Sequence, residues 1–415
     1  MKILFLPTYC KPEKAASGYL GQNRNQAYAE LGWDMVVFAP TPCRGISKEE
    51  REKYKEKAYR TEVDFDGHRT IHRFSMYAEG KNPVMRAFRY FLISIKHLNR
   101  ALFSKHAKGV DVMFLGSTPP YQGLLGTVVK KIRHIPFVYN LQDIFPDSLV
   151  GTGLAKKDGI LWKIGRVIEN ITYRNADKIV VISQDFKKNI MAKGVPEEKI
   201  EVIYNWVDEN AVVPVRDEDN ELFEEFGISR DKFRVVYAGN LGNAQNIGII
   251  VEAAKRLKDN NNIEFVIFGK GSLKDEIKET KAKEQLNNLK IFPIQPYERV
   301  SKVYGLGHVC IVACKPGLGG AAMPSKTWSI MSSARAVLAN FDEGELKEIV
   351  ENNHCGVFTK AGDLEAFVTS IEELSQNPER CVEMGKNGRQ FILDNLTREV
   401  GTQKYVEVIK SVVKH

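Results

Sequence analysis

The feature that most constrains this chain is an alternation repeated from end to end. Short β-branched or apolar runs are each followed by a stretch with helical character. Ile3-Leu4-Phe5-Leu6 is a strand, Asn23 to Leu31 a helix ended by Gly32, and Met35-Val36-Val37-Phe38-Ala39 the next strand. Val112–Leu115, Phe137–Asn140, Lys178–Ile182 and Ile200–Ile203 repeat the theme. Strands that are apolar almost throughout are buried on both faces, which predicts parallel sheets covered by helices. A polar stretch with many carboxylates, Asp208 to Asn220, breaks the alternation and reads as a linker. The pattern restarts at Arg234–Ala238 and continues through Glu264–Phe268, Val309–Ala313 and Ala336–Ala339. A chain of 415 residues is too long for one comfortable core. The expected fold is therefore α/β, with two doubly wound Rossmann-like domains facing a central cleft. Ligands of such sheets bind at the carboxyl ends of the strands.

Several classes are disfavoured. No apolar run approaches the roughly 18 residues needed to span a bilayer. The first residues, Met1-Lys2-Ile3-Leu4-Phe5-Leu6, lack the pattern of a signal peptide, so a cytoplasmic protein is expected. Six scattered cysteines show no zinc spacing, and Cys310 and Cys314 fit buried free thiols. The net charge of +8 is uneven: residues 1–207 hold 33 Lys/Arg against 21 Asp/Glu, the remainder 27 against 31. A basic half suggests an anionic partner, either a membrane surface, a phosphate-bearing substrate or nucleic acid. The absence of an RNA-binding aromatic signature or a zinc finger argues against nucleic acid.

The loops after the strands carry the chemistry. A nicotinamide enzyme would show GxGxxG after its first strand. Here that strand runs into Pro7-Thr8-Tyr9-Cys10-Lys11-Pro12, and Gly18 and Gly21 come later, at the next helix. That loop is either a phosphate cradle or a plain turn. The second domain is richer. It has Gly239-Asn240-Leu241-Gly242-Asn243-Ala244-Gln245-Asn246 after its first strand and Gly269-Lys270-Gly271-Ser272 after its second. A third loop, Lys315 to Gly319-Gly320, leads to Met323-Pro324-Ser325-Lys326 at a helix start. Backbone amides there could hold a diphosphate, with Lys326 as counter-charge. Ordinary turn glycines are the alternative.

The order and wording of these segments resemble the retaining GT-B glycosyltransferases of family 4, in particular the WbuB-like branch of bacterial O-antigen and capsule assembly. The resemblance spans nearly the whole chain. It rests on Ser117-Thr118-Pro119-Pro120, Leu141-Gln142-Asp143-Ile144-Phe145-Pro146-Asp147-Ser148, Asn205-Trp206-Val207-Asp208, the three second-domain loops and Pro324-Ser325-Lys326-Thr327-Trp328. It implies an acceptor-binding domain over 1–207, a nucleotide-sugar-binding domain over 208–395, and a helix at about 396–415 that packs back on the first. It implies a nucleotide-sugar donor of the UDP-linked kind, and transfer with retention to a polyprenyl-diphosphate-linked saccharide. No metal and no cofactor are implied, because basic residues stabilise the leaving group. The donor residues it implies are Gly18, Gly239, Asn240, Gln245, Gly269, Lys270, Gly271, Gly319, Gly320, Pro324, Ser325 and Glu345. Asp143, Asp147 and Lys326 are the implied catalytic residues.

The chain also departs from the pattern. The two glutamates that many relatives carry near the ribose align with Ala321 and Ser329, leaving Glu345 as a stand-in unless it belongs to a solvated acidic loop. Asn240 and Asn246 stand where relatives carry Arg and Lys, and Gln142 where they carry His. Asp143 and Asp147 are then the groups left to orient or deprotonate the acceptor, helix capping being the other reading of Asp147. The missing glutamates also raise a catalytically silent sugar-nucleotide-binding subunit, and the fold itself a nucleotide-sugar epimerase, as alternatives.

Two further segments admit contrasting readings. Asp64-Phe65-Asp66 looks like a metal-binding DxD, yet Gly67-His68 and the flanking strand-like stretches favour a hairpin turn. Asn82 to Lys108 mixes Phe88, Phe91, Leu92, Ile95 and Leu98 with Arg86, Arg89, Lys96 and Arg100. It is either a helix lying on an anionic membrane, at the inner face of the cell membrane, or a core-facing stripe with a solvated basic face.

Overall fold

The computed structural model describes residues 1–13, 18–80, 82–151, 155–321 and 323–413. Lys414 and His415, the end of the segment expected to return to the first domain, lie outside them. The chain divides into two compact units, one of Met1–Tyr204 with the chain from Gly401 onward, the other of Asn205–Val400.

The first unit holds an eight-stranded sheet of order β3-β4-β2-β1-β5-β6-β7-β8. Its strands are β1 (Lys2–Phe5), β2 (Asp34–Pro40), β3 (Thr61–Asp64), β4 (Arg69–Phe74), β5 (Val112–Gly116), β6 (Phe137–Leu141), β7 (Lys178–Val181) and β8 (Ile200–Val202). All pairings are parallel except that of β3 with β4. That exception is the hairpin over Asp64-Phe65-Asp66. Phe65 and Asp66 take positive φ, and the Asp64 carboxylate is held by Arg69 and, at 2.5 Å, by Lys11. The aspartate thus closes the hairpin.

The second unit holds a six-stranded, wholly parallel sheet of order β11-β10-β9-β12-β13-β14. Its strands are β9 (Phe233–Asn240), β10 (Ile263–Lys270), β11 (Leu289–Pro293), β12 (Val309–Ala313), β13 (Ala336–Phe341) and β14 (Gly356–Lys360). The edge strands β11 and β14 escape the sequence pattern because only some of their residues are fully buried. In each sheet the chain winds one way from a central strand and then the other. The reversal falls between β1 and β5 in the first unit and between β9 and β12 in the second. Crevices in doubly wound sheets open at such points.

Eight helices carry or flank the segments with functional promise. In the first unit they are α1 (Gly18–Glu30), α2 (Pro83–Phe103), α3 (Gln122–Arg133), α4 (Asp147–Gly151) and α5 (Ile160–Asn175). In the second they are α6 (Lys326–Ser332) and α7 (Glu345–Asn352), and α8 (Arg398–Val412) ends the chain. From α8, the Tyr405 hydroxyl donates to Asn140 Oδ1 at 3.0 Å. The Arg24 guanidinium of α1 stands 4.1 Å from the Phe114 ring and 5.5 Å from that of Tyr405.

The stretch expected to be a linker packs against the second unit instead. Val212 is buried, its carbonyl accepts from Ser332 Oγ at 2.6 Å and from Arg389 at 3.0 Å, and Arg335 reaches the Val215 carbonyl at 2.8 Å. Polar composition suggests a solvated strand of chain. Here serine and arginine side chains satisfy its backbone instead, which removes most of the cost of burial.

Candidate active site

The second unit gathers its glycine loops at the carboxyl ends of β9, β10 and β12. Register places Gly269 beside Gly239 and Lys270 beside Asn240. Gly239 has φ +148°, a conformation that L side chains rarely adopt, and a Cβ there would stand 2.9 Å from Lys326 Nζ. The glycine is what lets the amine approach the strand end. Gly271, at φ +157°, packs directly on the Leu241 backbone. Leu241 N donates to the Lys270 carbonyl at 2.8 Å, and Lys315 N to the Ala244 carbonyl at 2.9 Å, so the three loops are stitched together. Asn240 Nδ2 donates to Gln245 Oε1 at 3.3 Å.

Lys326, the first residue of α6, donates to the Tyr237 hydroxyl at 2.9 Å, with Nζ 4.0 Å from the centre of that ring. The Tyr237 hydroxyl in turn donates to the Asn240 carbonyl at 2.7 Å. No carboxylate pairs with Lys326 among the described residues. The residue keeps some solvent exposure, yet enough protein surrounds its amine for desolvation to push its pKa down to about 7. A cation held without a counter-ion beside backbone amides is suited to receive an anion. Tyr237 has no mark in the sequence beyond lying two residues before Gly239, on a strand.

Other expected residues are placed differently. The Gly319 amide donates to Asp342 Oδ2 at 2.7 Å and that of Gly317 to Oδ1 at 3.1 Å, so Asp342 already occupies the Gly319 donor. A Cβ on Gly320 would meet only open space. Pro324 and Ser325 precede α6, with Ser325 exposed. Glu345 is buried at the first position of α7, which removes the solvated-loop reading.

In the first unit, Gly18 opens α1 with open space where a Cβ would stand. Asp143 follows β6. Ser117 N donates to the Asn140 carbonyl and Gln142 N to Ser117 Oγ, both at 3.0 Å, and these bonds tie the ends of β5 and β6 together. The surrounding loop raises the pKa of the Asp143 carboxyl by desolvation, and a hydrogen bond from Ser148 opposes that shift. Asp147, first in α4, accepts from Lys193 Nζ at 2.7 Å. Lys193 also reaches Glu169 at 2.9 Å, and Glu169 pairs with Arg166. Asp147 is therefore one end of an ion-pair chain, whereas Asp143 has its side chain open to solvent. The four buried cysteines and the half-buried Cys10 and Cys43 are all free thiols.

Two family models match the chain, Glycosyltransferase Family 4 over residues 25–211 and Glycosyl transferases group 1 over residues 218–391. WbjE of Pseudomonas aeruginosa, named as a probable glycosyltransferase, is 26% identical over 329 residues, 79% of each chain. WcaI of Escherichia coli (strain K12), named for colanic acid biosynthesis, is 28% identical over 282 residues, 64% of this chain and 69% of its own. Among solved structures, Alr3699/HepE of Anabaena in complex with UDP superposes with a TM-score of 0.71 at 17% identity, covering 99% of this chain and 100% of that one. At that identity the likeness is one of fold. Lys326, Gly239 and the loops around them all fall within the segment matched by the group 1 model, and the chain belongs to family 4 of the glycosyltransferases, with the GT-B fold.

Proposed function

We propose that the chain transfers a sugar, with retention of anomeric configuration, from a UDP-linked donor to a lipid-linked saccharide in bacterial surface polysaccharide assembly, at the inner face of the cell membrane. The observation that carries the donor half is the Lys326 amine, unpaired by any carboxylate among the described residues and seated against Tyr237 and Gly239. Alr3699/HepE, of the same fold, was solved with UDP and with UDP-glucose, which supports a uridine nucleotide here. The name of WcaI, for colanic acid biosynthesis, supports a polysaccharide role.

In this reading the donor diphosphate lies along the Gly239–Gln245 and Gly269–Gly271 loops, with Gly320 and Ser325 at its edge and Glu345 toward the ribose. The bond between the anomeric carbon and the diphosphate oxygen breaks as the acceptor hydroxyl attacks from the same face. The acceptor proton passes to the departing phosphate oxygen. Lys326 offsets the charge that builds on the leaving group, the kind of preorganised stabilisation worth roughly 3 kcal/mol per donor. Asp143 orients the acceptor hydroxyl, and Asp147, paired with Lys193, holds the loop that carries it. An epimerase would need acid and base groups around the sugar, and Asp342, beside the third loop, is already committed to backbone amides.

Thermal shift against a panel of nucleotide sugars tests the reading. A uridine-linked sugar should raise the unfolding temperature by mass action, and Lys326→Ala should weaken that shift. Stabilisation by none of the panel would overturn it. Stabilisation without turnover on any lipid-linked acceptor would favour the silent binding subunit.

A further inference from the structure

Thirteen of the twenty-two exposed large apolar residues among the described residues lie on three helices of the first unit, α2, α3 and α5. The whole second unit shows four. The three helices are neighbours, with α3 packed between α2 and α5. On α2 the stripe Phe88, Phe91 and Ile95 faces solvent, while Arg89, Ile93 and His97 are buried. Arg89 donates to the Tyr77 carbonyl at 3.0 Å, and His97 meets the Phe38 carbonyl at 2.9 Å. The outer face of α2 therefore carries both most of the apolar stripe and the exposed Arg86 and Lys96, while Ile93 and Ala101 pack inward. On α5, Ile160 is 79% exposed and Leu161 62%, and the stripe continues through Ile164 and Val167.

The charge on these helices is one-sided. Together α2, α3 and α5 carry ten Lys/Arg and one carboxylate, Glu169, which is buried and paired with Lys193 and Arg166. A contiguous apolar surface ringed by cations fits the interface of an anionic bilayer, where acyl chains take the apolar stripe and phosphates the cations. A two-fold contact with a second copy would bring the exposed Lys96, Lys131 and Lys163 against like charges, which disfavours self-association. No helix among the described residues is long and apolar enough to cross a membrane. Contact would therefore be lateral.

We infer that the first unit docks on anionic lipid through the combined outer face of α2, α3 and α5, with the amino-terminal turns of α2 and α5 seated deepest. Those turns pair Ile160 with Leu161 and Val84, at 75%, with Met85, all exposed, whereas the carboxyl end of α2 exposes Phe103, at 77%. They also follow the carboxyl ends of β4 and β6, the edge that bears Asp143. In orientation the inference rests on the proposed lipid-linked acceptor, because docking there brings the acceptor edge to the lipid surface.

Trp162 on α5 provides a native probe, since Trp33, Trp206 and Trp328 are buried. The experiment mixes the full chain with vesicles of phosphatidylcholine and phosphatidylglycerol at low salt. It reads co-sedimentation and quenching of tryptophan fluorescence by bromines on the acyl chains. The chain should pellet with phosphatidylglycerol vesicles, less so as salt is raised. Trp162 should be quenched, and Trp162→Phe should lose the quenching while still pelleting. The double variant Ile160→Ser/Ile164→Ser, at exposed positions, should partition on the order of tenfold more weakly with an unchanged circular dichroism spectrum. Failure to pellet at low salt overturns the inference, as does pelleting with no quenching and no loss in the double variant. So does a dimer in sedimentation equilibrium that the double variant dissolves, or retention only by an acidic protein. The mixture contains neither donor nor acceptor, so its outcome is separable from that of the glycosyl-transfer reading.

Discussion

Lys326 gives its hydrogen bond to the hydroxyl of Tyr237, at 2.9 Å, rather than to a carboxylate. The two residues are 89 positions apart and meet at the end of β9. Burial without a counter-ion makes the amine easy to deprotonate, and the absence of a paired carboxylate among the described residues leaves it available to an incoming phosphate.

Stability should report this directly. The Lys326 pKa is about 7 in the folded chain, against roughly 10.4 for an unfolded lysine. Between those values the unfolded chain binds the extra proton, so this group's contribution to stability increases as pH rises through the window. Below about pH 7 both states are protonated and the cost of the buried charge is present in full. Urea unfolding of the wild type and Lys326→Met at several pH values should show the wild type gaining on the variant between pH 7 and 10. Parallel curves would contradict the burial of the amine.

Binding of a nucleotide diphosphate should return the proton. A dianion beside Lys326 favours the ammonium, so calorimetry near pH 8 in buffers of different ionisation enthalpy should show uptake of up to about one proton per donor. Lys326→Ala should abolish the uptake and reduce turnover by roughly 10²–10³-fold. Full turnover in the folded variant would remove Lys326 from the reaction.

Gly239→Ala should spare the fold and damage the site. A Cβ there stands 2.9 Å from Lys326 Nζ, and the backbone is held at φ +148°. The amine must move, so the donor-induced thermal shift should vanish while far-ultraviolet circular dichroism is kept. Binding equal to wild type would show that the amine has another route to the phosphate.

Tyr405→Ala should destabilise the chain by about 3–5 kcal/mol, as for a large buried aromatic. It removes a buried ring that meets Phe114 at 5.7 Å and flanks the Arg24 guanidinium. Tyr405→Phe should cost only about 1 kcal/mol, the value of one hydrogen bond to Asn140. Equal effects from both would mean that the ring contributes nothing by packing.

If Lys326 supplies the counter-charge, chelation should leave transfer unchanged. Turnover assayed with and without EDTA tests this. Loss restored by magnesium or manganese would transfer that role to a metal.

The amino-acid sequence by itself determined the two parallel sheets, because near-continuous apolar runs such as Ile3–Leu6 and Glu264–Phe268 can be buried only between helices. It also determined where the glycine loops fall, since Gly239 and Gly271 need conformations that other residues resist. It did not reveal that the Asp208–Asn220 stretch packs on the second unit, because Ser332, Arg335 and Arg389, which satisfy its backbone, lie more than a hundred residues away. Nor could it show Asp342 occupying the Gly319 amide or Lys193 occupying Asp147. Periodicity announces that α2 mixes apolar and basic residues, but which of them turn inward depends on what the neighbouring elements offer. The tertiary structure buries Arg89 and His97 against carbonyl groups and leaves Phe88, Phe91 and Ile95 outside. The same holds for Lys326: its residue type is written in the chain, while its lowered pKa comes from the protein packed around it, which only folding brings together.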